Sequence, residues 1–540
     1  MVFRMKAKKE AMFLSSVIIW FLALLLANGG GVQGQPAAFG VPYGSMPGAV
    51  IRITHRGLNA LMAKIGQIIT QIIPQIRIPF VTSGTAAFGI EYSVKDVVII
   101  RATPPRQFQI LLQPGAASQI VLVNLSFRLG LHFYMSPQGG IGVKVAECLM
   151  NCDNIDVAIE EISGMSLLRG IIKNVVRRKL DKFVQEEACQ AVGTIGVDEV
   201  TKWMSQTLTR FRLFDKLFPS KHQASRTKRS SYKQFDPNNA FMDLLQMATK
   251  LVLDFSVVGN PTVRASGYSM YFEIPVKGEV TLEGSSPYTP IRAQPIPSKN
   301  ENFGKMIYII VTDYTFNTLL YQMYSHKMLN LVLTKKSIAD PEVRSFLYTK
   351  CQDNECIGAA LPELQKYPMQ AMVVYVTALA APKAVIIDGA VRMSAKIRLT
   401  GYASYNNKKV KAFSYDFNSV GDLKLTCRQG TITSTFTMQS VTSLDKNKPL
   451  PPKLIQLIKR GMQQEMSGLL GSDSGFKIPH IGIGQLSRIE MKTKPNALSL
   501  SSDFAVNQQL LYRMISNVIH RKLGSTGGMP GPGMGIPPGF

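Results

Sequence analysis

The sequence predicts an α+β fold, in which helices flank antiparallel strands, and three observations lead to this prediction. Apolar residues recur at helical spacing in four segments, 51–73, 165–192, 316–333 and 452–470. Elsewhere apolar and polar residues alternate, as in strands with one buried face. The order helix, strands, helix occurs once in each half of the chain, so we expect two halves that are built alike.

In the first half, the segment 51–73 places Leu58, Leu61, Ile65, Ile68 and Ile72 on one face of a helix, and Pro74 ends it. Strands follow at 88–94 and 121–133. Within the second strand, Asn124 lies on the polar face and begins the sequon Asn-Leu-Ser, which predicts a glycosylated asparagine. An unmodified asparagine on the polar face is the alternative.

In the second half, Leu319, Leu320, Met323 and Met328 give the segment 316–333 its apolar positions. Residues 392–399 alternate as a strand, and 452–470 forms the last helix. Two further stretches between the halves, 251–258 and 266–282, also have strand patterns. A proline-rich segment, 287–297, reads as an extended linker.

The net charge restricts the class of partner. The 540 residues contain 61 Lys and Arg against 35 Asp and Glu, a formal charge of +26. With 46% hydrophobic and 18% charged residues, the chain is too apolar to be disordered. A strongly basic globular chain favours an anionic partner such as nucleic acid, an acidic membrane surface or a phosphorylated glycolipid.

The N-terminus predicts secretion. Four basic residues precede an apolar stretch, 12–27, and a glycine-rich exit, so residues 1–34 read as a signal peptide that is cut before Gln35. An uncleaved signal anchor is the alternative. Cleavage removes four basic residues and Glu10, so the secreted chain stays basic. An extracellular location argues against nucleic acid as the partner.

Six cysteines in a secreted chain favour disulfides over a metal site, because the six histidines are scattered and none has ligand spacing. We therefore expect no metal and no cofactor. Cys351 and Cys356 bracket a polar loop and can close a small ring. Either Cys148 or Cys152 can join Cys189, and the pairing of Cys427 stays open.

Several motifs resemble those of the superfamily that contains bactericidal/permeability-increasing protein, lipopolysaccharide-binding protein and lipid-transfer proteins. Residues 48–58, Gly-Ala-Val-Ile-Arg-Ile-Thr-His-Arg-Gly-Leu, resemble its opening strand and helix start. After the linker, 306–308 and 313–318 resemble the start of its second domain, and Leu361-Pro362-Glu363-Leu364 resembles a motif that follows. The matching motifs occur in the family's order over about residues 45–506.

The resemblance implies an elongated boomerang of two barrel-plus-helix domains joined by a central antiparallel sheet, with an apolar lipid pocket in each domain. It also implies a Cys152–Cys189 disulfide, although the spacing leaves Cys148–Cys189 open. We expect the following domains after the signal peptide: 35–240, with a basic insertion at about 205–240; 241–305, with central strands and the linker; 306–506; and a C-terminal segment, 507–540, with an amphipathic part and a Gly/Pro-rich tail.

Three sets of residues are candidates for function. The expected lipid-binding residues lie on the domain-opening helices: Leu61, Ile65, Ile68, Ile72, Leu319, Leu320 and Met323. A basic set is expected to contact anionic head groups or a membrane, with a solvated helix face as the alternative: Arg169, Lys173, Arg177, Arg178, Lys182, Arg210 and Arg212. The dibasic sequence that ends at Arg229 predicts proteolytic processing, with an uncut loop as the alternative.

No motif for catalysis accompanies these residues. The chain lacks the G-x-S-x-G nucleophile elbow of lipases and a phosphate-binding loop, so we expect no enzyme. The expected function is that of a secreted lipid-binding protein, with phospholipid and lipopolysaccharide or an anionic membrane as partners, in antibacterial innate defence. Extracellular lipid transport without a defence role is the alternative.

Overall fold

The computed structural model describes residues 46–72, most of 77–162, scattered residues from 170 to 212, most of 250–470, and the segments 476–477, 484–509 and 512–513. Within these residues the fold is mixed α/β, with many strands and few helices. The predicted signal peptide, Arg229 and the tail after 513 lie outside the described residues.

Four α-helices are described: α1 (His55–Ile72), α2 (Asp313–Ser325), α3 (Ile357–Ala360) and α4 (Pro452–Leu470). A 3₁₀ turn, Pro362–Lys366, follows α3. The prediction for 452–470 is confirmed. The prediction for 51–73 starts too early, because Ala49–Thr54 is a strand that hydrogen-bonds to neighbours on both sides.

The predicted helix 316–333 also ends too late. Lys327 has a left-handed φ of 59°. Its N–H donates to the carbonyl of Tyr324 at 2.9 Å, and the N–H of Met328 donates to Met323 at 2.8 Å. These two bonds form a Schellman motif, which terminates α2 and lets the chain continue into a strand.

The strands carry the numbers used below. In the first half they are β1 (Ala49–Thr54), β2 (Arg77–Ile78), β3 (Thr82–Thr85), β4 (Glu91–Thr103), β5 (Gln109–Gln113), β6 (Gln119–Asn124), β7 (Phe127–Met135), β8 (Ile141–Met150), β9 (Asp153–Ile162), β10 (Arg210–Arg212), β11 (Leu251–Asp254), β12 (Thr262–Ser266), β13 (Ser269–Val276) and β14 (Glu279–Leu282). In the second half they are β15 (Ile307–Val311), β16 (Leu331–Leu333), β17 (Val373–Ala378), β18 (Lys383–Ile387), β19 (Ala390–Tyr405), β20 (Lys408–Arg428), β21 (Thr431–Ser443), β22 (Phe476–Lys477), β23 (Gly484–Lys494) and β24 (Ala497–Val506).

A six-stranded antiparallel sheet contains strands from both halves, in the order β12-β13-β1-β15-β24-β23. One face of this sheet joins the main hydrophobic core through residues such as Phe272, Ile309 and Leu500. On the other face, Ile296 of the proline-rich segment packs against Val50, Ile310 and Ala497. The linker therefore covers the side of the sheet that does not face the core.

The first half contains three smaller sheets: β2-β4-β3 with β9 beside β4, β5-β6-β7-β8, and β10-β11-β14. In the second half, one sheet has the order β16-β17-β19-β20-β21-β22, and β18 also pairs with β19. Gly421 of β20 has a close neighbour, because a Cβ there would lie 2.3 Å from the ring of Phe436. The absence of a side chain at Gly421 lets this buried ring fill the inner face of the sheet.

The predicted single strand 121–133 is two strands. Asn124 and Phe127 are register partners, so the chain reverses between β6 and β7. Residues 120–123 are all apolar, so β6 fits the alternation seen in β7 whichever of its faces is buried, and the sequence pattern does not show the reversal. This correction moves the predicted glycosylation residue Asn124 from the middle of a strand to the end of β6.

Candidate functional site

Helix α1 begins where the two halves of the chain meet. The hydroxyl of Thr54 accepts a hydrogen bond from the backbone N–H of Gly57 at 3.3 Å and caps the helix. The same hydroxyl donates to the carbonyl of Lys305 at 2.9 Å, just before β15. A Cβ at Gly57 would lie 2.5 Å from the carbonyl oxygen of Met306. The start of α1 is therefore held against the segment that opens the second half.

Two polar side chains fix α1 against β5. His55 Nε2 lies 2.8 Å from the carbonyl oxygen of Ile110, and the backbone N–H of Ile110 donates to Asn59 Oδ1 at 3.2 Å. On the apolar face, Ile68 is fully buried, whereas the predicted lipid-binding residues Leu61 and Ile65 are partly exposed. The side chain of Ile72 lies outside the described residues. The apolar face of α1 thus contains both buried and accessible side chains.

Helix α2 is attached to the edge strand β18 by side chains of its exposed flank. Asn317 Nδ2 donates to the carbonyl of Ala384 at 2.9 Å, and Asn317 Oδ1 accepts from the N–H of Ala384 at 2.8 Å. Asp313 Oδ1 accepts from the N–H of Ile386 at 3.0 Å. At the position that follows Asn317, the Thr318 hydroxyl accepts from the N–H of Val280 in β14. These bonds set the rotation of α2 and hence the residues that it buries.

That rotation separates the three predicted lipid-binding residues of α2. Leu319 and Met323 are 1% and 3% exposed and belong to the main core. Leu320 is partly exposed and packs on the edge of the same core. The structure therefore leaves Leu320 as the accessible member of this set, and the other two have ordinary core positions.

An apolar surface that the sequence reasoning missed lies on the inner face of β19. Val391 and Leu399 are buried at either end of this face, whereas Met393 and Ile397 between them are partly exposed. Val376 of the neighbouring strand β17 is partly exposed as well. The alternating pattern showed which residues point inward, but it carried no signal for the positions that remain uncovered.

Helix α4 contributes accessible apolar side chains to the same half. It packs along β21 with Leu454 buried, while Ile458 and Met462 are partly exposed at the margin of the core. Like Leu320, Val376, Met393 and Ile397, they are partly exposed and pack against the main hydrophobic core, and we call these six side chains the inner apolar surface. Such a surface can hold hydrocarbon, at about 0.8 kcal/mol for each CH₂ removed from water.

The disulfide in the first half joins Cys148 to Cys189, which corrects the expected Cys152–Cys189 pair. A bulge at Ala146 changes the alternation in β8, so that Cys148 lies opposite buried Leu129 and faces the core. The Cα atoms of Cys148 and Cys189 are 5.8 Å apart. The predicted small ring, Cys351–Cys356, is confirmed.

The predicted basic residues are only partly described. Arg177 and Arg178 are helical and exposed. Arg210 belongs to β10, and its Nη2 lies 3.8 Å from Oδ2 of buried Asp254, so part of its charge compensates a carboxylate of the protein. The side chain of Arg212 and the residues Arg169, Lys173 and Lys182 lie outside the described part.

Asp254 belongs to a buried charged cluster beside the start of α2. Lys277 Nζ lies 2.6 Å from Glu279 Oε2 and 3.6 Å from Asp254 Oδ2. Burial raises the pKa of the Glu279 carboxyl above its ordinary value, although the Lys277 ammonium opposes this change. Burial also raises the pKa of the neighbouring Tyr314 hydroxyl, and the charge of Glu279 adds to the effect. The cluster joins β11 and β14 of the first half to α2.

Metal ligands do not gather in the part of the chain that the structure describes, since no group of three or more His, Cys, Asp or Glu side chains there could hold an ion. The helices of that part include none that is long and apolar enough to cross a membrane.

Comparison with protein-family models gives a match for the second half of the chain. Residues 245–469 match the model of the LBP / BPI / CETP family, C-terminal domain. The second half of this chain is thus similar to the C-terminal domain of the LBP/BPI/CETP superfamily. The match contains α2, α3, α4 and the strands β17–β21, so it includes the whole inner apolar surface. This superfamily is one of lipid-binding and lipid-transfer proteins, and the resemblance seen in the sequence motifs is confirmed.

Two solved structures align over most of the chain but with low scores. A crystal structure of lipopolysaccharide binding protein is 16% identical, with a TM-score of 0.43 and coverage of 85% of this chain and 99% of the other. P47 from Clostridium botulinum A2 is 10% identical, with a TM-score of 0.24 and coverage of 85% and 97%. A search of curated protein sequences found no match. The family assignment rests on residues 245–469.

Proposed function

We propose that this protein is a secreted lipid-binding protein of the LBP/BPI/CETP superfamily that holds phospholipid acyl chains and recognises anionic lipid or lipopolysaccharide. The observation that supports the proposal is the inner apolar surface, because Met393 and Ile397 remain partly exposed between the buried residues Val391 and Leu399 within the matched domain. Exposed hydrocarbon inside a sheet is unfavourable in water, and an acyl chain would cover it.

The proposal includes a second lipid site in the first half. Leu61 and Ile65 of α1 are partly exposed in a position that corresponds to Leu320 of α2, on the helix that opens the domain. We infer two lipid-binding domains, at about 35–240 and 306–506, that share the sheet built around β1 and β15 in a boomerang arrangement. Two bound phospholipids per chain follow from this arrangement.

Secretion and a role in antibacterial defence complete the proposal. The signal-like residues 1–34 support secretion, and the net charge of +26 supports attraction to anionic bacterial lipids. Lipid transport between extracellular carriers has no special need for this charge. Agglutination or killing of Gram-negative cells by the purified protein would distinguish defence from transport.

The proposed lipid binding can be tested directly on the full chain. Native mass spectrometry of the purified protein, followed by solvent extraction and lipid analysis, should find two phospholipids per chain. A sample that has been delipidated and reloaded with a defined phospholipid should regain the same mass increase. A protein that is empty as purified and takes up no lipid on reloading would disprove the proposal.

A further inference from the structure

At the end of β19 that lies farthest from β18, the second half exposes apolar and basic side chains side by side. Met369 is 65% exposed, more than any other large apolar side chain of the described residues, and Tyr405 is 47% exposed. The exposed lysines Lys366, Lys408 and Lys409 accompany them. We call these five residues the tip surface.

The two segments that carry the tip surface are joined by hydrogen bonds. Gln370 Nε2 donates to the carbonyl of Ser404 at 2.7 Å, and the N–H of Ser404 donates to Gln370 Oε1 at 3.2 Å. The ring of Tyr405 packs edge-on against buried Tyr367 with centroids 5.8 Å apart. Met369 lies between Tyr367 and Gln370 in the chain, so both exposed apolar residues are held at one end of the sheet.

The lysines of the tip surface are supported by aromatic rings. Lys409 Nζ lies 4.8 Å from the ring centroids of both Tyr375 and Tyr402, and it donates to the hydroxyl of Tyr375 at 2.8 Å. Lys366 Nζ lies 5.3 Å from the ring of Tyr367. Contact with a neutral ring leaves the ammonium charge uncompensated while it restricts the side chain. The cations are thus presented outward in a defined position.

Carboxylates are scarce in the two segments that carry the tip surface. The segments 366–370 and 402–409 contain no Asp or Glu; Glu363, in the 3₁₀ turn that ends at Lys366, lies 3.5 Å from the hydroxyl of Tyr415. Further along the sheet, by contrast, the outward arginines are paired, since Arg398 reaches Asp416 and Arg392 reaches Asp422. The sheet therefore changes from paired charges to unpaired positive charge as it approaches the tip, and this change favours an anionic partner.

We propose that the tip surface docks this protein onto an anionic phospholipid bilayer. A tyrosine and an unbranched apolar side chain beside lysines suit the interface of a bilayer, where apolar groups enter the acyl boundary and ammonium groups remain with the phosphates. A soluble polyanion would bind the lysines but would make no favourable contact with exposed Met369. The inference rests on the proposed lipid binding, because docking brings the inner apolar surface close to a source of lipid.

The test compares two double variants on vesicles. Lys408→Gln/Lys409→Gln removes two charges from the tip surface. Lys383→Gln/Val385→Ser is the matched control, since Lys383 is exposed and Val385 is 44% exposed on β18, which pairs with the opposite end of β19. The strand rise places this control roughly 40 Å from Tyr405. Vesicles of phosphatidylcholine mixed with phosphatidylglycerol are compared with pure phosphatidylcholine by co-sedimentation.

We expect the wild-type chain to sediment with the anionic vesicles and to bind the neutral ones weakly. Loss of two interfacial lysines should weaken partitioning about thirtyfold, from about fivefold for each charge. The control variant should bind within about twofold of wild type. Equal binding by all three proteins, equal loss in both variants, or absence of wild-type binding to anionic vesicles would each overturn the inference.

A second pair of variants tests for the bilayer itself. Met369→Ser/Tyr405→Ser should weaken vesicle binding and leave binding to heparin, a soluble polyanion, unchanged; unchanged vesicle binding would overturn the proposal in favour of a purely electrostatic site. The lipid content of each purified variant is measured in parallel. Bound lipid without docking would refute only the tip surface, whereas a lipid-free chain would refute the proposed function.

Discussion

The Cys148–Cys189 disulfide yields a quantitative prediction, because it closes a long loop. The two cysteines are 41 residues apart in sequence. In the chain-entropy treatment, a loop of this length restricts the unfolded state by about 4 kcal/mol at 25 °C. We therefore expect the double variant Cys148→Ser/Cys152→Ser, which leaves Cys189 without a nearby thiol in the sequence, to lose stability of this order.

The single variant Cys152→Ser is the matched control and should retain the stability of the wild-type chain. Urea unfolding followed by circular dichroism measures both, and non-reducing peptide mapping identifies the linked cysteines directly. A peptide that links Cys152 to Cys189 in the wild-type chain would refute the assignment. A loss of stability in Cys152→Ser as large as in the double variant would do the same.

Three further predictions concern the inner apolar surface and the contacts around α2. The double variant Met393→Asp/Ile397→Asp should bind one phospholipid fewer per chain than the wild type. The control Val385→Asp, at an exposed position of β18, should bind as many as the wild type. An unchanged phospholipid stoichiometry in the double variant would contradict the site. Asn317→Ala should lower the free energy of unfolding, measured with urea, by about 2–4 kcal/mol, because both backbone polar groups of Ala384 lose their side-chain partner. Asn330→Ala, at an exposed position, should lower it by less than about 0.5 kcal/mol. Because burial raises the pKa of Glu279, the folded chain binds this proton more tightly than the unfolded chain, so stability should fall as pH rises above the ordinary value of 4.5. Glu279→Gln should flatten that part of the pH profile of the urea midpoint, and an unchanged profile would show that Glu279 does not contribute.

Local sequence patterns predicted elements in which the buried positions follow the periodicity of the apolar residues. The bounds of α4 follow from its apolar spacing, and β19 follows from strict alternation between 392 and 399. The patterns misassigned residues 51–54, where Ile51 and Ile53 suit a helix as well as a strand. In the structure, these residues bond to β13 and β15, which lie more than 200 residues away in the chain. No local window contains that information.

The sequence predicted the apolar stripe of the candidate site, but it did not predict which residues of that stripe are accessible. Leu319, Leu320 and Met323 look alike in the sequence, yet only Leu320 stays partly exposed. The hydrogen bonds of Asn317 and Asp313 to β18 set the rotation of α2 and thereby decide which residues are covered. Met393 and Ile397 were recognised as inward-facing strand residues, but their exposure depends on elements that are distant in the chain.

The sequence by itself predicted the mixture of helices and antiparallel strands, the basic charge and the resemblance to the superfamily, because composition, periodicity and motifs are local properties of the chain. Tertiary structure decided which cysteine meets Cys189, since a bulge in β8 turns Cys148 toward the core. It also decided that the chain turns back after Asn124, because residues 120–123 are all apolar and their pattern fits either face of a strand. Finally, it gathered Met369, Tyr405 and three lysines from two separate segments into one surface, which depends on the pairing of Gln370 with Ser404.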